Sequence, residues 1–552
     1  MDSSTTTVSA AGLVFGALLL AFVVVCLCLI PKPENDLFFE LRIGTDILST
    51  GHLPHVDTYS WTNRGTRWDV PEWLSFVIYA LAYRQGAFFG VWLTMVAVMV
   101  ACVWTVWFFL APRLGFAWAF QLTNLMALAL SDYIQERPYV YTYLFLALTL
   151  SILVRSRAPG ARALDRPAVP GSPLIIAQST TPVRSPQNWG LGGRLLLLLP
   201  PLCAVWTNLH QGVLVLVCLL IAYALGDAIQ AVRGHTEFRR SAIRMLSTAV
   251  ACALASMASP YGWRVYWNVW ITLRDHTMMS NVTEWNSIAV LPFAQMQAFV
   301  LIAAIVVAAI ASSRRATLAD ALALSAMFVE SLLHARNTAL FAIAAIVIGA
   351  PYFESGVERL RRVFGSADGI AVKAALGFVG VLYLTAVTAV GMASLKPAIG
   401  PKGWSLEGIG EAAARVPSYP DAACTFVLRE GFPPNLRLFN NFSIGGYLMW
   451  RLPSEPDFVD GRLDVFTGST FDDMLTIARH PGSTAADAVI RRYNLDCVIT
   501  TTRRIADAFA ARPDWVVVYA DPPRPHHSRC VILLRRRPRF AALIARCTAR
   551  RV

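Results

Sequence analysis

The chain has 552 residues, of which 56% are hydrophobic and only 15% charged, with a mean hydropathy of +0.50. No soluble protein needs that much apolar surface, so the class is a polytopic membrane protein. The net charge of +13 is mostly Arg in short loops between apolar runs, a topology signal that fits an anionic leaflet, and no nucleic-acid module accompanies it.

In chain order, apolar runs at 11–30, 88–110, 116–130, 139–154, 195–208, 212–225, 245–258, 298–311, 318–328, 338–350 and 370–393 predict about eleven membrane spans. Several cores are shorter than the ~20 residues a full crossing needs, so their polar ends extend them. The pairs around Asn208 and Arg314 each also read as one broken helix or a re-entrant hairpin. The first run has no basic segment ahead of it and no clear small-residue cleavage site, and reads as a retained helix. Arg113, the cluster from Arg155 to Arg184, the group Arg233, Arg239, Arg240 and Arg244, the pair Arg314 and Arg315, and the group Arg359, Arg361 and Arg362 occupy alternate loops. The positive-inside rule makes those loops cytoplasmic. The Pro-, Ser- and Gly-rich stretch 155–194 reads as a flexible connector.

The opposite loops, 31–73, 131–138, 208–211, 259–295 and 331–337, are then external, and an odd span count puts the chain after Leu395 outside too. The basic run Arg535 to Arg539 argues the other way, but long translocated domains escape the charge rule. In the first external loop Leu37, Phe38, Leu41, Thr45 and Leu48 recur at helical spacing, with Gly51 and Pro54 as stop signals, so an interfacial helix is predicted. Pro71 starts a second helix that carries Glu72 and Trp73 toward the bilayer. Residues 1–395 thus form a membrane domain and 396–552 a small extracytoplasmic α/β domain, with strand-like runs at 436–439, 457–459, 497–500, 515–519 and 530–534 and a helix at 485–493. Six Cys lie in or beside apolar runs as inert packing. The other four, Cys424, Cys497, Cys530 and Cys547, allow one disulfide whose pairing the sequence does not choose.

The candidate site residues gather on the external side. Asp36, at the exit of the first span, suits a general base for a hydroxyl or amine acceptor, and equally an N-cap for the helix beginning at Leu37. Glu72 is a second acid or a helix N-terminal charge. His52, His55 and Asp57 carry the donor types for a divalent metal, against the commoner reading of a hydrogen-bonded turn, and Asp57 is a further candidate acid. Arg137, Asn208, His210, His334 and Arg336 sit at external span ends, and Arg264 and Glu284 in the loop after the seventh span. Arg and His there suit a phosphate leaving group through charge-assisted hydrogen bonds; snorkelling or capping explains any one of them singly. Repetition at three span ends favours the functional reading. Asp460 and Arg462 follow the 457–459 run, where a tight turn accounts for them, or they bind acceptor hydroxyls. No Walker loop, GxSxG, HExxH or Rossmann fingerprint is convincing, which counts against an ATP-driven pump or a hydrolase.

The run Asn35-Asp36-Leu37-Phe38-Phe39-Glu40-Leu41, the stretch from Gly51 to Ser60, Trp68 and Glu72-Trp73-Leu74 together resemble the first external loop of bacterial GT-C-like membrane proteins. Arg137-Pro138, Trp206-Thr207-Asn208-Leu209-His210, Pro260-Tyr261-Gly262, Glu284-Trp285, Gly445-Gly446-Tyr447 and Asp460-Gly461-Arg462 extend the resemblance over most of the chain. It is more distantly similar to protein mannosyltransferase and lipid A aminoarabinose transferase enzymes. The resemblance implies a multi-pass protein of the bacterial inner membrane, a polyprenyl-phosphate-linked sugar as donor, and an acidic catalytic base in the first external loop, here Asp36. Many relatives have two adjacent acids where this chain has Asn35 before Asp36, which weakens a metal site. The implied function is sugar transfer to an extracytoplasmic glycan, lipid or protein, with membrane lipids as partners, no nucleic acid, and no cofactor beyond a divalent metal. The alternatives are a transporter or flippase for a lipid-linked glycan, which would need repeat symmetry that this chain does not display, and a non-catalytic envelope-assembly protein.

Overall fold

The computed structural model describes residues 8–32, 36–157, 191–274, 285, 287, 292–314, 316–396, 399, 402–434, 436–462, 464–466, 468–522 and 529–549. Among these, six helical stretches are long and apolar enough to cross a membrane: Ala10–Cys28, Trp73–Leu114, Tyr139–Arg157, Val213–Val232, Ala335–Arg362 and Gly377–Leu395. Leu195–Leu209 and Phe299–Ala311 are shorter apolar helices. The protein is a multi-pass membrane protein, built as a helical bundle with a small sheet in its C-terminal part.

Helix α1 (Ala10–Cys28) packs on α3 (Trp73–Leu114). Three α3 indoles fix that contact: Trp92 donates to the Cys28 carbonyl (2.9 Å), Trp104 to Ala17 (2.8 Å) and Trp107 to Leu13 (3.1 Å). In an apolar medium an indole N–H needs such an acceptor, so each bond also sets the register of the two helices. Between them in the chain runs α2 (Asp36–Thr50), the predicted interfacial helix, which ends where Gly51 takes the left-handed conformation (φ 71°) and caps the Ile47 carbonyl. Inside α3 the chain kinks at Gly86 and Ala87, so the deep apolar run starts near Phe88 as its hydropathy predicts, while the segment from Trp73, with Glu72 as its N-cap residue, is the helix predicted to start at Pro71.

Helix α4 (Phe116–Leu130) has the predicted bounds, and α5 (Tyr139–Arg157) runs from Tyr139 to the basic pair Arg155 and Arg157. The helices Leu199–Leu209, Val213–Val232, Phe238–Ala255, Pro292–Ala311 and Leu318–Leu333 cover the next predicted runs, and the last two runs join one helical stretch, Thr338–Leu395. At the end of the bundle that carries Arg157, buried polar groups tie four helices. Arg157 makes a bidentate pair with Asp227 (2.7 and 2.9 Å), and the Tyr223 and Tyr352 hydroxyls both donate to Asp320 (2.7 Å each).

In the C-terminal part, β1 (Leu438–Asn440) runs parallel to β2 (Cys497–Thr500), while β3 (Trp515–Ala520) and β4 (Val531–Arg535) complete an antiparallel side in the order β1-β2-β4-β3. The helix predicted at 485–493 is Thr484–Tyr493. The run at 457–459 does not join the sheet: Asp457 makes a single parallel bridge to Ser60 of the first loop. All four Cys of this region are free buried thiols, so the disulfide is absent. Packing continues across residue 395. Phe38 of α2 meets the rings of Tyr419 (4.6 Å), Tyr447 (4.8 Å) and Trp450 (5.6 Å).

Candidate active site

A cavity of about 500 Å³ opens where α2, the start of α3 and the start of α5 converge under the C-terminal part. Asp36 lies on its wall in the first turn of α2, where a carboxylate is favoured by the helix dipole, and its Oδ2 is paired with the Arg137 guanidinium. Gly461 sits directly over this carboxylate: a Cβ there would lie 2.1 Å from Asp36 Oδ1 and 2.8 Å from the Phe39 ring, so only glycine fits without displacing Asp36.

Glu72, His210, His334 and Arg336 line the same cavity, as the span-end pattern predicts. His210 Nδ1 accepts from the Gly212 N–H (2.9 Å) and lies 2.7 Å from Thr142 Oγ1, which itself takes the Trp206 indole proton (2.9 Å). Those bonds place the ring proton on Nε2, which faces Glu72 Oε1 at 3.4 Å. Burial, then the charges of Arg336 and Arg137, push His210 down to about 3, so the imidazole is neutral at physiological pH. Burial pushes Glu72 up to about 7, against the pull of the same two arginines.

Two aromatic side chains complete this wall. Arg137 lies 5.5 Å from the Tyr139 ring centre, and Arg336 lies 6.0 Å from it and 4.5 Å from that of Trp285. Among the described residues Arg336 meets no carboxylate within ion-pair distance, so the cavity holds a guanidinium whose charge a ligand can take up. His334 donates from Nδ1 to the Trp285 carbonyl (2.9 Å), which holds that ring beside Arg336. Tyr139 is not among the residues the sequence singles out, although its adjacency to Arg137-Pro138 is a signal, whereas Trp285 belongs to the quoted Glu284-Trp285 pair. From the C-terminal part Asp464 also reaches the cavity, accepting from the Trp68 indole (2.9 Å), and burial raises it to about 6.

The structure moves other expected site residues into supporting roles. Asp57 is fully buried and bound to Arg462 (2.7 Å), Ser60 and the Tyr59 N–H, so it is neither a cavity acid nor open to a metal. His52 Nδ1 faces its own turn at the Thr50 carbonyl (2.7 Å), and the His55 ring packs edge-on against Tyr261 (6.1 Å), so the three do not converge on an ion. Arg462 is itself saturated, with Nε 2.9 Å from both Asp460 oxygens and one terminal nitrogen 2.6 Å from Oδ2, and stacks on Trp68 (4.8 Å). Asp460 and Arg462 therefore clamp the C-terminal part to the first loop instead of meeting acceptor hydroxyls. Asn208 bridges the Trp73 indole (2.8 Å) and the Ala204 and Ala258 carbonyls, and Arg264 holds Asp69, a residue of the cavity wall, at 2.6 Å. Glu284, with Glu34 and Asn35, lies outside the described residues.

No family model matches the chain, and no curated protein matches it in sequence. Among solved structures, the Archaeoglobus fulgidus oligosaccharyltransferase, tethered by a disulfide to an acceptor peptide with an NVT sequon, is similar with a TM-score of 0.51 at 12% identity, covering 89% of this chain and 68% of that one. ArnT from Cupriavidus metallidurans bound to undecaprenyl phosphate covers 95% of this chain and 98% of its own at 14% identity, with a TM-score of 0.49, a likeness too loose to argue from. The chain thus has the fold of the GT-C-type membrane enzymes.

Proposed function

We propose that this chain is an integral membrane glycosyltransferase that moves a sugar from a polyprenyl-phosphate donor to an extracytoplasmic glycan, lipid or protein. The observation that carries the reading is the cavity itself. One carboxylate at a helix N-terminus, Asp36, faces the same space as Arg137 and Arg336, an arginine with no carboxylate partner among the described residues. The acceptor oxygen or nitrogen attacks the anomeric carbon as the bond to the phosphate oxygen breaks. The acceptor proton passes to Asp36, and the electron pair leaves with the lipid phosphate, whose charge the two arginines take up. A single displacement inverts the anomeric configuration.

The pairing of Asp36 with Arg137 adds a sequence to these events. While the guanidinium occupies that carboxylate oxygen, the oxygen is not open to the acceptor proton. A donor phosphate competes for Arg137 and releases Asp36 only when the sugar is in place, which limits transfer to water. The buried ties around Asp227 and Asp320 at the opposite end of the bundle support transfer on one face over passage through it.

The test is transfer of a radiolabelled sugar from lipid-linked donors by purified protein in nanodiscs, with donors chosen from the lipid-linked sugars that accumulate in cells lacking it. Asp36→Asn keeps the size of the side chain in the first turn of α2 and removes its charge, so transfer should fall by roughly 10²–10⁴. Folded Asp36→Asn protein with a near-parental rate would remove the base assignment.

A further inference from the structure

The helix Arg264–Arg274 has two faces with different surroundings. One is turned inward: Val265 is fully buried, Asn268, Val269 and Thr272 line the cavity, and Arg264 and Asn268 hold Asp69 at 2.6 and 3.5 Å. The other carries Trp267 and Trp270, exposed by 44% and 52%, and Trp263 in the turn just before the helix, exposed by 59%, continues their spacing. Arg274 closes the ridge with its guanidinium 5.0 Å from the Trp270 ring centre. Two large indoles on one side of an eleven-residue helix, with a third in the turn before it, are costly in water, at about 25 cal/mol per Å² of apolar surface.

We infer that this face is seated in the outer bilayer surface at headgroup depth, and that its partner is phospholipid. Trp and Arg side by side are the composition of the membrane–water interface, where an indole ring is apolar in body and polar at its N–H. The ridge is also continuous with a lipid-facing wall. The helix Phe238–Ala255, one short turn earlier in the chain, exposes Leu246, Val250 and Leu254 by 52–62% in a stripe that leads up to Trp263. The inward face then becomes a partition with lipid headgroups on one side and the cavity on the other. On the reading of the preceding subsection, this sets Arg137 and Arg336 at the depth of a lipid phosphate. The lipid contact itself requires no catalysis.

The experiment uses the purified full chain in nanodiscs made with phosphatidylcholine that carries a photoactivatable diazirine either near the acyl carbonyl or at the chain end. Trypsin cuts after Arg264 and Arg274 and releases residues 265–274 as one peptide for mass spectrometry. The expected result is carbene adducts on that peptide several-fold more abundant from the shallow probe than from the deep one, with Trp267 and Trp270 protected from hydroxyl-radical oxidation. Because only lipid and this chain are present, a protein partner cannot produce that pattern. Absence of shallow adducts, or indoles oxidised as fast as in the unfolded chain, would overturn the inference whether or not sugar transfer is detected. The Trp267→Ser/Trp270→Ser protein, checked for folding by its thermal transition, should lose most of the labelling, and undiminished labelling would likewise overturn it.

Discussion

Gly461→Ala probes the geometry of Asp36 without touching its chemistry. The added Cβ would stand 2.1 Å from Asp36 Oδ1, where ordinary contact begins at 3.4 Å, so the carboxylate or the Asp460-Gly461 turn must yield by more than an ångström. The turn is held by the buried Arg462–Asp460 pair, while the Asp36 carboxylate is paired with the side chain of Arg137, which can follow it, so Asp36 should move. Misplacement of a reacting group by about 1 Å costs roughly 10²-fold in rate, or about 2.7 kcal/mol of transition-state stabilisation. Gly461 has no positive φ, so alanine brings no backbone strain and the unfolding transition should stay near that of the parent. Single-turnover transfer in nanodiscs separates this loss from donor binding, measured by equilibrium retention of a lipid phosphate. A Gly461→Ala protein with parental single-turnover rate would refute both the contact and the placement of Asp36 at the reaction centre.

Glu72, raised by burial to about 7, binds a proton in the folded protein that the unfolded chain, near 4.5, has released. Stability should therefore fall as pH rises between those values, and Glu72→Gln should flatten that slope by about one proton in a pH series of thermal unfolding. His210 stays neutral throughout this window, so a step in transfer rate near pH 7 that vanishes in Glu72→Gln reports Glu72 alone. Arg462→Met leaves Asp57 and Asp460 buried without their cation and should cost about 3–5 kcal/mol, read by denaturant unfolding. In that variant acidification should restore stability, because protonation removes the uncompensated charge. In the parent the Arg462 pair favours the charged Asp57 carboxylate, which lies below the usual range, so acid weakens the clamp; opposite slopes are the check.

The spans and the span-end residues were legible because both are local signals. Hydropathy placed Phe116–Leu130 to the residue, and the deep part of α3 from the kink onward. Asp36, Glu72, Arg137, His210, His334 and Arg336 converge because each ends or begins a helix on one side of the bundle, which alternating loop charge had already sorted. What failed was every inference that needed to know a polar side chain's partner. Asp57 and Arg462 are 405 positions apart, and nothing near Asp57 distinguishes a metal ligand from half of a buried pair. Likewise 457–459 has the composition of a strand, but among the described residues its only backbone bridge is to the first loop at Ser60, a long-range choice that β propensity does not register. Asn208 and Arg264 have the donor groups for a phosphate and spend them on a neighbouring indole and carboxylate.

These errors share a physical direction, since each exchanged residue turned out to hold the C-terminal part or a loop against the bundle. The cavity explains why such clamps are needed. Its floor is made by helix ends, but the lid over Asp36 is Gly461, and Asp464 reaches in from the same turn. A lid on a separate body would leave Asp36 open to water whenever that body swung away. Here the turn is fixed by Arg462 between Asp57 and Asp460, by the Trp61 indole on the Leu438 carbonyl (2.9 Å), by Asn63 on the Val465 carbonyl (2.7 Å), and by the Phe38 ring among Tyr419, Tyr447 and Trp450. Polar bonds of this kind fix orientation and register, while the aromatic cluster supplies apolar burial. An enclosed carboxylate beside guanidinium groups is what transfer to a chosen acceptor requires and what simple lipid movement does not. The geometry of the lid therefore supports the transferase reading independently of any likeness in fold.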